Sequence, residues 1–276
     1  MKLSPQHGIS LKATHYEELL QRNLGPGWAE AITENFLGRG GRPLAVLERV
    51  RRDREIILHG VSMSLGGPDP FDPAYFRSLR ELRSRIEAAF VGDHLSFGTF
   101  DGHFGHDLWP LPRTEEAVRH LAARIRQAQD MLEEQLVIEN VSAYVDYAQS
   151  RLGEAEFMTL VLQEADAAML LDVNNVFVSA HNLGFDAWSY IDAIPAERVR
   201  YFHLAGHSEM GPLLLDDHGS AVGDATWELY EYAVARIGGR PTIVEWDSNL
   251  PALDRLLAES EHACDRANRI SAEAAA

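Results

Sequence analysis

The stretch "AAMLLDVNNVFVSAHNLGF" (residues 167–185) opens on an apolar run and turns polar abruptly at Asp172, Asn174 and Asn175. Its first residues read as a strand buried on both faces, the kind that parallel sheets make. Asp and Asn favour turns, and that preference alone accounts for one strand ending this way. The event recurs along the chain, however, with a carboxylate or an imidazole closing one apolar run after another. Turn preference does not explain such repetition.

Eight short runs share the pattern: "GISLK" (8–12), "EAITE" (30–34), "IILHGVS" (56–62), "VGDHLS" (91–96), "LVIEN" (136–140), "MLLDVN" (169–174), "VRYFHLA" (199–205) and "TIVEWD" (242–247). Longer amphipathic stretches separate them, among them "PAYFRSLRELRSRIEAAF", "TEEAVRHLAARIRQAQDMLEE", "EAEFMTLVLQEA" and "ATWELYEYAVARIG", with a last helix from near Pro251. Thr114 followed by Glu115 and Glu116 is a sound helix start. Eight strands alternating with helices predict an α/β fold, a single (β/α)8 TIM barrel. A chain of 276 residues suits one such domain over residues 1–276, its Ala-rich tail frayed from about residue 271. Two long polar loops, 96–112 and 206–224, follow strands at the end where barrels place their chemistry, which makes them candidate substrate loops. The glycine-rich "GRGG" (38–41) lacks the setting of a dinucleotide fingerprint and reads as a turn.

Acidic residues outnumber basic ones 42 to 25, a net charge of -17. Such a surface repels nucleic-acid backbones and anionic membranes, and suits metal cations or a basic partner. The sole cysteine, Cys264, cannot form an intramolecular disulfide; it reads as an inert thiol in a reducing cytoplasm. The opening "MKLSPQHGISLK" has no apolar leader, and no segment has the length to cross a bilayer.

On a barrel, His59, His94, Glu139, Asp172, His203 and Glu245 fall at strand ends, with Asn175 and the Asp216-x-His218 element in adjoining loops. All converge on one mouth. Any one of these is more often a structural residue, but six from separate strands would repel one another and suffer desolvation unless a cation compensates. Lys and Arg are scarce at these strand ends, so bound metal is the economical answer. Histidine and carboxylate ligands without thiolate suit zinc, manganese or iron. Their number exceeds one ion's needs and points to two or three metals bridged by Glu139, Glu245 or Asp216.

In this order the residues resemble the multimetal site of the xylose-isomerase-like superfamily, including its abasic-site endonucleases, which carry a histidine where this chain has Asn175. The closer resemblance is to the DUF692 (UPF0276) family of multinuclear non-heme iron enzymes, which includes the catalytic subunit of the methanobactin maturation enzyme. It runs through "GISLKATHYEELL", "ITENFLGRGG", "ILHGVSMSLGG", "VGDHLSFG", "VIENVSAY", "LLDVNNVFVSAHNLGFD", "FHLAGH", "DDHGSAV" and "VEWDSNLP". Where that family usually reads Asp-Thr-His, this chain has Asp216-Asp217-His218, which keeps the Asp-x-His pair.

The resemblance implies two or three iron ions of mixed valence, held by the nine residues named above, with His59, His94, Glu139, Asp172, His203 and Glu245 as the catalytic set. It implies O2-dependent oxidation of a residue, typically cysteine, in a ribosomally made precursor peptide whose leader a small partner protein holds. The competing readings are a metal-dependent phosphodiesterase or abasic-site endonuclease, disfavoured by the absence of a basic stripe, and a sugar isomerase, disfavoured by the lack of a strand-end lysine. A barrel kept only to bind peptide would be missing ligands, and none is missing. His103, His106, His181 and His207 read as solvated or supporting histidines. Glu34, Asn35 and Asp247 read as holding ligands or binding peptide, and Asn174 and Asn182 as shaping their loop.

Overall fold

A computed structural model describes residues 7–38 and 40–274. The first six residues, Arg39 within the expected "GRGG" turn, and the last two residues of the tail lie outside the described residues.

The strands are β1 (Gly8–Ser10), β2 (Trp28–Ile32), β3 (Glu55–His59), β4 (Phe90–His94), β5 (Phe97–Phe100), β6 (His103–Trp109), β7 (Val137–Glu139), β8 (Ala168–Asp172), β9 (Val199–Leu204), β10 (Ser208–Met210), β11 (Leu213–Leu215) and β12 (Thr242–Val244). The helices are α1 (Tyr16–Gln21), α2 (Arg42–Arg51), α3 (Pro73–Ile86), α4 (Glu115–Leu132), α5 (Glu154–Ala165), α6 (Val173–Leu183), α7 (Ala187–Ala193), α8 (Asp224–Ile237) and α9 (Leu253–Ala274). Eight strands, in the order β1-β2-β3-β4-β7-β8-β9-β12, close on themselves through parallel pairing of β12 with β1. The expected TIM barrel is therefore the fold.

Two expectations change in detail. The segments 96–112 and 206–224 are not open loops: each folds back as an antiparallel hairpin, β5 with β6 and β10 with β11. Residues 173 and 174 do not extend strand β8, because α6 starts at Val173. Helix α9 carries the Ala-rich tail as far as Ala274.

Side chains inside the barrel follow the two-residue period of a strand. Toward its amino-terminal end lies an apolar floor of Trp28, Ile57, Val137, Ala168, Leu170, Tyr201 and Ile243. Phe90 joins it, its ring stacked between Trp28 and Tyr201 at centroid distances of 5.8 and 5.9 Å. Two residues further along the same strands, on the same face, stand Glu30, His59, Glu139, Asp172, His203 and Glu245. The barrel thus changes from apolar to ionisable within one layer. The floor excludes water from below, so the charged layer is open only toward the carboxyl ends of the strands. On β4 the position between Phe90 and His94 is Gly92, where a Cβ would lie 2.8 Å from the Val137 carbonyl and 3.4 Å from both His59 Nδ1 and the Tyr201 hydroxyl.

Outside the barrel, helices α3 and α4 bury one stripe each, Phe76, Leu79, Leu82 and Ile86 on the first and Val118, Leu121, Ile125 and Leu132 on the second. The Asp72 side chain caps α3, accepting from Ala74 N with Pro73 next in line, and Thr114 caps α4, accepting from Ala117 N.

Candidate metal centre

Asp172 accounts for both readings of its strand end. One carboxylate oxygen, Oδ1, accepts from Asn175 N at 2.7 Å and caps helix α6. The other, Oδ2, is buried without a hydrogen-bond partner and lies 3.7 Å from His203 Nδ1. Asn140 fixes the strand end around it: its Oδ1 accepts from Asp172 N and its Nδ2 donates to the Asp172 carbonyl, each at 2.9 Å.

The other expected site residues reach the same mouth. Glu139 Oε2 sits 2.8 Å from His59 Nε2 and 3.0 Å from His94 Nε2, which are themselves 3.3 Å apart. Glu139 Oε1 is 3.4 Å and Glu245 Oε2 is 3.0 Å from His203 Nδ1. His218 Nε2 faces Asp216 Oδ1 at 2.7 Å, while its Nδ1 lies 3.0 Å from Asp247 Oδ2 and 3.5 Å from Glu245 Oε2. Donor atoms gather into three groups that could each hold an ion: His59, His94 and Glu139; Glu139, Asp172, His203 and Glu245; and His218, Glu245 and Asp247. Glu139 is common to the first two and Glu245 to the last two.

Polar atoms left without partners test the fit to metal. Asp172 Oδ2 and Asn175 Oδ1 are buried and lack a hydrogen bond, while Glu139 Oε2, His203 Nδ1 and His218 Nε2 are buried with only the carboxylate–imidazole approaches given above. Buried polar atoms are normally satisfied, so two orphaned oxygens beside imidazoles and carboxylates crowded on one another mark a place for something that accepts lone pairs. Meanwhile the opposite atoms are held from behind. His94 Nδ1 meets the Gly60 carbonyl at 3.0 Å, His203 Nε2 meets Glu30 Oε2 at 2.9 Å, and Asn175 Nδ2 donates to the Asn140 carbonyl at 3.0 Å. Such partners turn each ring or amide so that its free atom faces inward, the usual arrangement behind a metal ligand.

Charge balance agrees. Burial opposes the charge on His94, but the neighbouring Glu139 carboxylate outweighs it and raises the imidazole to about 9. Burial, with Glu139 and Asp216 nearby, pushes Asp172 well above the usual carboxylate range. Glu245 is held below that range against its own burial by His203 and His218. Without an added cation the cluster balances its carboxylates with protons. Divalent ions would displace those protons on binding.

A cavity of about 300 Å³ opens above the cluster, lined by His59, His94, Glu139, Asn175, Asp216, His218 and Glu245 together with Asp107 and Leu108 from hairpin β5–β6. A wider hollow of about 650 Å³ between α2 and α3 contains none of them. Asp216 is itself tied down, accepting from Ser142 Oγ at 3.0 Å and from Asn174 Nδ2 at 2.8 Å.

Two residues that matter here escape a reading of strand ends, and a third, Lys12, closes the run 8–12 itself. Glu30, fully buried behind His203, occupies the inward position two residues after Trp28, so strand parity is the signal that finds it. Asp93 accepts from His94 N at 2.7 Å and Met63 N at 3.1 Å, and burial raises its pKa to about 6. Lys12 overturns the expectation of no strand-end lysine: it lies two residues beyond β1 and its ammonium pairs with Asp247. Burial works against its charge, yet Asp247 and Glu245 raise its pKa and favour the ammonium.

The other histidines stand apart. His103 and His106 are exposed on β6, His103 Nδ1 meeting the Asp101 carbonyl at 2.9 Å. His181 Nε2 meets the Pro212 carbonyl at 3.0 Å, and His207 Nδ1 meets Asn174 Oδ1 at 2.8 Å. His103→Ala is expected to leave metal content unchanged and to shift stability by no more than about 0.5 kcal/mol. Elemental analysis and a thermal melt check it.

Comparison with known proteins follows the same line. A family of RiPP precursor modification enzymes, MbnB/TglH/ChrH, matches residues 6–268. A UPF0276 protein of Anaeromyxobacter sp. (strain Fw109-5) is 51% identical over 94% of this chain and 92% of its own length. Another from Acaryochloris marina is 43% identical over 93% and 92%. Among solved structures, a D-psicose 3-epimerase from Clostridium cellulolyticum H10 superposes with a TM-score of 0.62 at 12% identity, covering 96% of this chain and 99% of that one. Endonuclease IV from Thermus thermophilus does so with a TM-score of 0.60 at 15% identity over 96% and 99%. At such identities these two share the barrel and no more. The match to the family across nearly the whole chain, joined by relatives of this identity, makes the protein a member of the MbnB/TglH/ChrH family of RiPP precursor modification enzymes.

Proposed function

We propose that the protein binds two or three iron ions at the barrel mouth and uses O2 to oxidise a residue, most often cysteine in enzymes of this kind, in a ribosomally made precursor peptide. The observation that carries this reading is the cluster of buried imidazoles and carboxylates at the barrel mouth, with Asp172 Oδ2 and Asn175 Oδ1 left without hydrogen bonds, in a chain of a peptide-modifying family. His59, His94 and Glu139 would hold one ion, Glu139, Asp172, His203 and Glu245 a second, and Asn175, Asp216 and His218 a third. Iron at these positions supplies redox equivalents for O2 and a seat for a thiolate, chemistry that no side chain present can supply.

The protein's own residues do the rest. Glu139 would serve two of these ions and so would fix their spacing as well as their charge, while Glu245 stands between His203 and His218. Glu30, the Gly60 carbonyl and Asn140 hold the ligands from behind, which keeps the mouth side open for substrate. Asn175 brings a neutral oxygen where abasic-site endonucleases bring an imidazole, and neutral oxygen is the harder ligand.

Protein purified in air is expected to contain more than one equivalent of iron per chain by elemental analysis. Zinc alone, with no iron taken up on anaerobic reconstitution, would sink the redox reading and favour a hydrolase, in which metal activates water.

A further inference from the structure

Twenty-three of the 25 basic residues are arginine; the two lysines are Lys2 and Lys12. Arginine serves nearly every surface ion pair, yet a lysine stands at the site. Its side chain is only 11% exposed, and its ammonium meets Asp247, whose own side chain is half open to the mouth. Lysine is a compact point charge, whereas a guanidinium is a wide fork with five donors.

Asp247 in turn grips His218 at two points. Its backbone N–H donates to the His218 carbonyl at 2.8 Å, and its Oδ2 lies 3.0 Å from His218 Nδ1. His218 needs such a hold, because its backbone is left-handed with φ at 45°, a conformation that costs an ordinary side chain free energy. Two arrangements are open to this ring. Through Nδ1 it could share an ion with Glu245 and Asp247; through Nε2, which faces Asp216 Oδ1 at 2.7 Å, it could share one with Asp216.

We propose that Lys12 is a positioning residue that decides between these arrangements: it fixes Asp247 as the partner of His218 Nδ1, leaving Nε2 to ligate the ion shared with Asp216 and Asn175. Asp247 is then a ligand's support and not a ligand. The assignment rests on the metal reading above, but makes a prediction of its own sign. If Asp247 were a ligand, Lys12 would compete with metal for it, and removing the lysine would tighten binding. If Lys12 positions, removing it loosens binding.

The test is equilibrium dialysis of Fe(II) under anaerobic conditions against a competing chelator, with metal equivalents counted per chain. Lys12→Met is expected to weaken the last-bound ion by about tenfold to a hundredfold, the range for losing a ligand's supporting partner, while the remaining ions stay bound. Lys12→Arg should recover part of the loss. Asp247→Ala, at a half-exposed position that the fold tolerates, should cost as much by itself, and adding Lys12→Met to it should cost nothing further. Unchanged or tighter binding in Lys12→Met, or losses that add in the double variant, would overturn the assignment while leaving the metal reading intact. Failure of the parent protein to take up any iron would instead remove the metal reading.

Discussion

Glu139→Gln is expected to remove more than one equivalent of metal and to cut activity at least a hundredfold, the upper loss for a mere supporting partner. The amide keeps the shape of the side chain but gives up its charge. Glu139 faces His59 and His94 with one oxygen and His203 with the other, so two of the three donor groups lose their shared member together. A change at His94 would touch only one group. The barrel should survive. Breaking a buried ion pair typically costs about 3–5 kcal/mol because a charge is stranded, but histidines can shed their protons and escape most of that cost. Elemental analysis beside a thermal melt separates the outcomes: metal content at the parental level would mean that Glu139 is not a ligand.

Much of the barrel could be read from alternation alone, because strands buried on both faces leave uninterrupted apolar runs that nothing else in a soluble chain resembles. Strand ends were harder. Val173 returns to the apolar character of "AAMLLD" and reads as more strand, and what turns it and Asn174 into a helix is the Asp172 cap, a hydrogen bond that no periodicity registers. Hairpins β5–β6 and β10–β11 were hidden for another reason. Their strands are short, three to seven residues, and β6 and β10 expose most of their side chains, so neither hairpin shows an apolar run on both of its strands.

Within the site, residues that terminate a strand with charge are conspicuous and those that support them are not. His203 stands out by its polarity against Phe202 and Leu204. Glu30 sits among alanines in "WAEAI" with equal contrast, but two residues before its strand ends, where a search confined to ends passes over it. Lys12 lies beyond its strand altogether and reaches the mouth only by the length of its stem. Reading parity from the apolar floor upward, Trp28 to Glu30 and Tyr201 to His203, would have located the partner of His203.

With a cysteine-containing precursor peptide, oxidation is expected in air and not under anaerobic conditions, and Cys→Ser in the peptide should abolish it. A hydroxyl has the donor geometry of a thiol but is a far weaker ligand for iron at neutral pH, since it does not ionise, so the substitution removes the anchor while leaving the peptide's shape. Phe100 and Phe104 on hairpin β5–β6, Val145 after β7 and Met210 on β10 are all exposed, at 64, 45, 62 and 54%, on segments that follow strands of the barrel, and the cavity itself adds Ile32, Val61, Leu108, Val141 and Tyr144 to its carboxylates and imidazoles. Trp109 is packed against Phe97 with ring centroids 5.4 Å apart and serves the hairpin's own stability. The hairpins carry Asp101, Asp107 and Glu209 and no lysine or arginine, which suits a neutral or basic peptide and repels a phosphodiester. Mass spectrometry of the peptide after aerobic and anaerobic incubation, run beside abasic-site DNA, decides the matter. A mass that is unchanged by O2, together with nicked DNA, would transfer the site to the hydrolases that share its barrel.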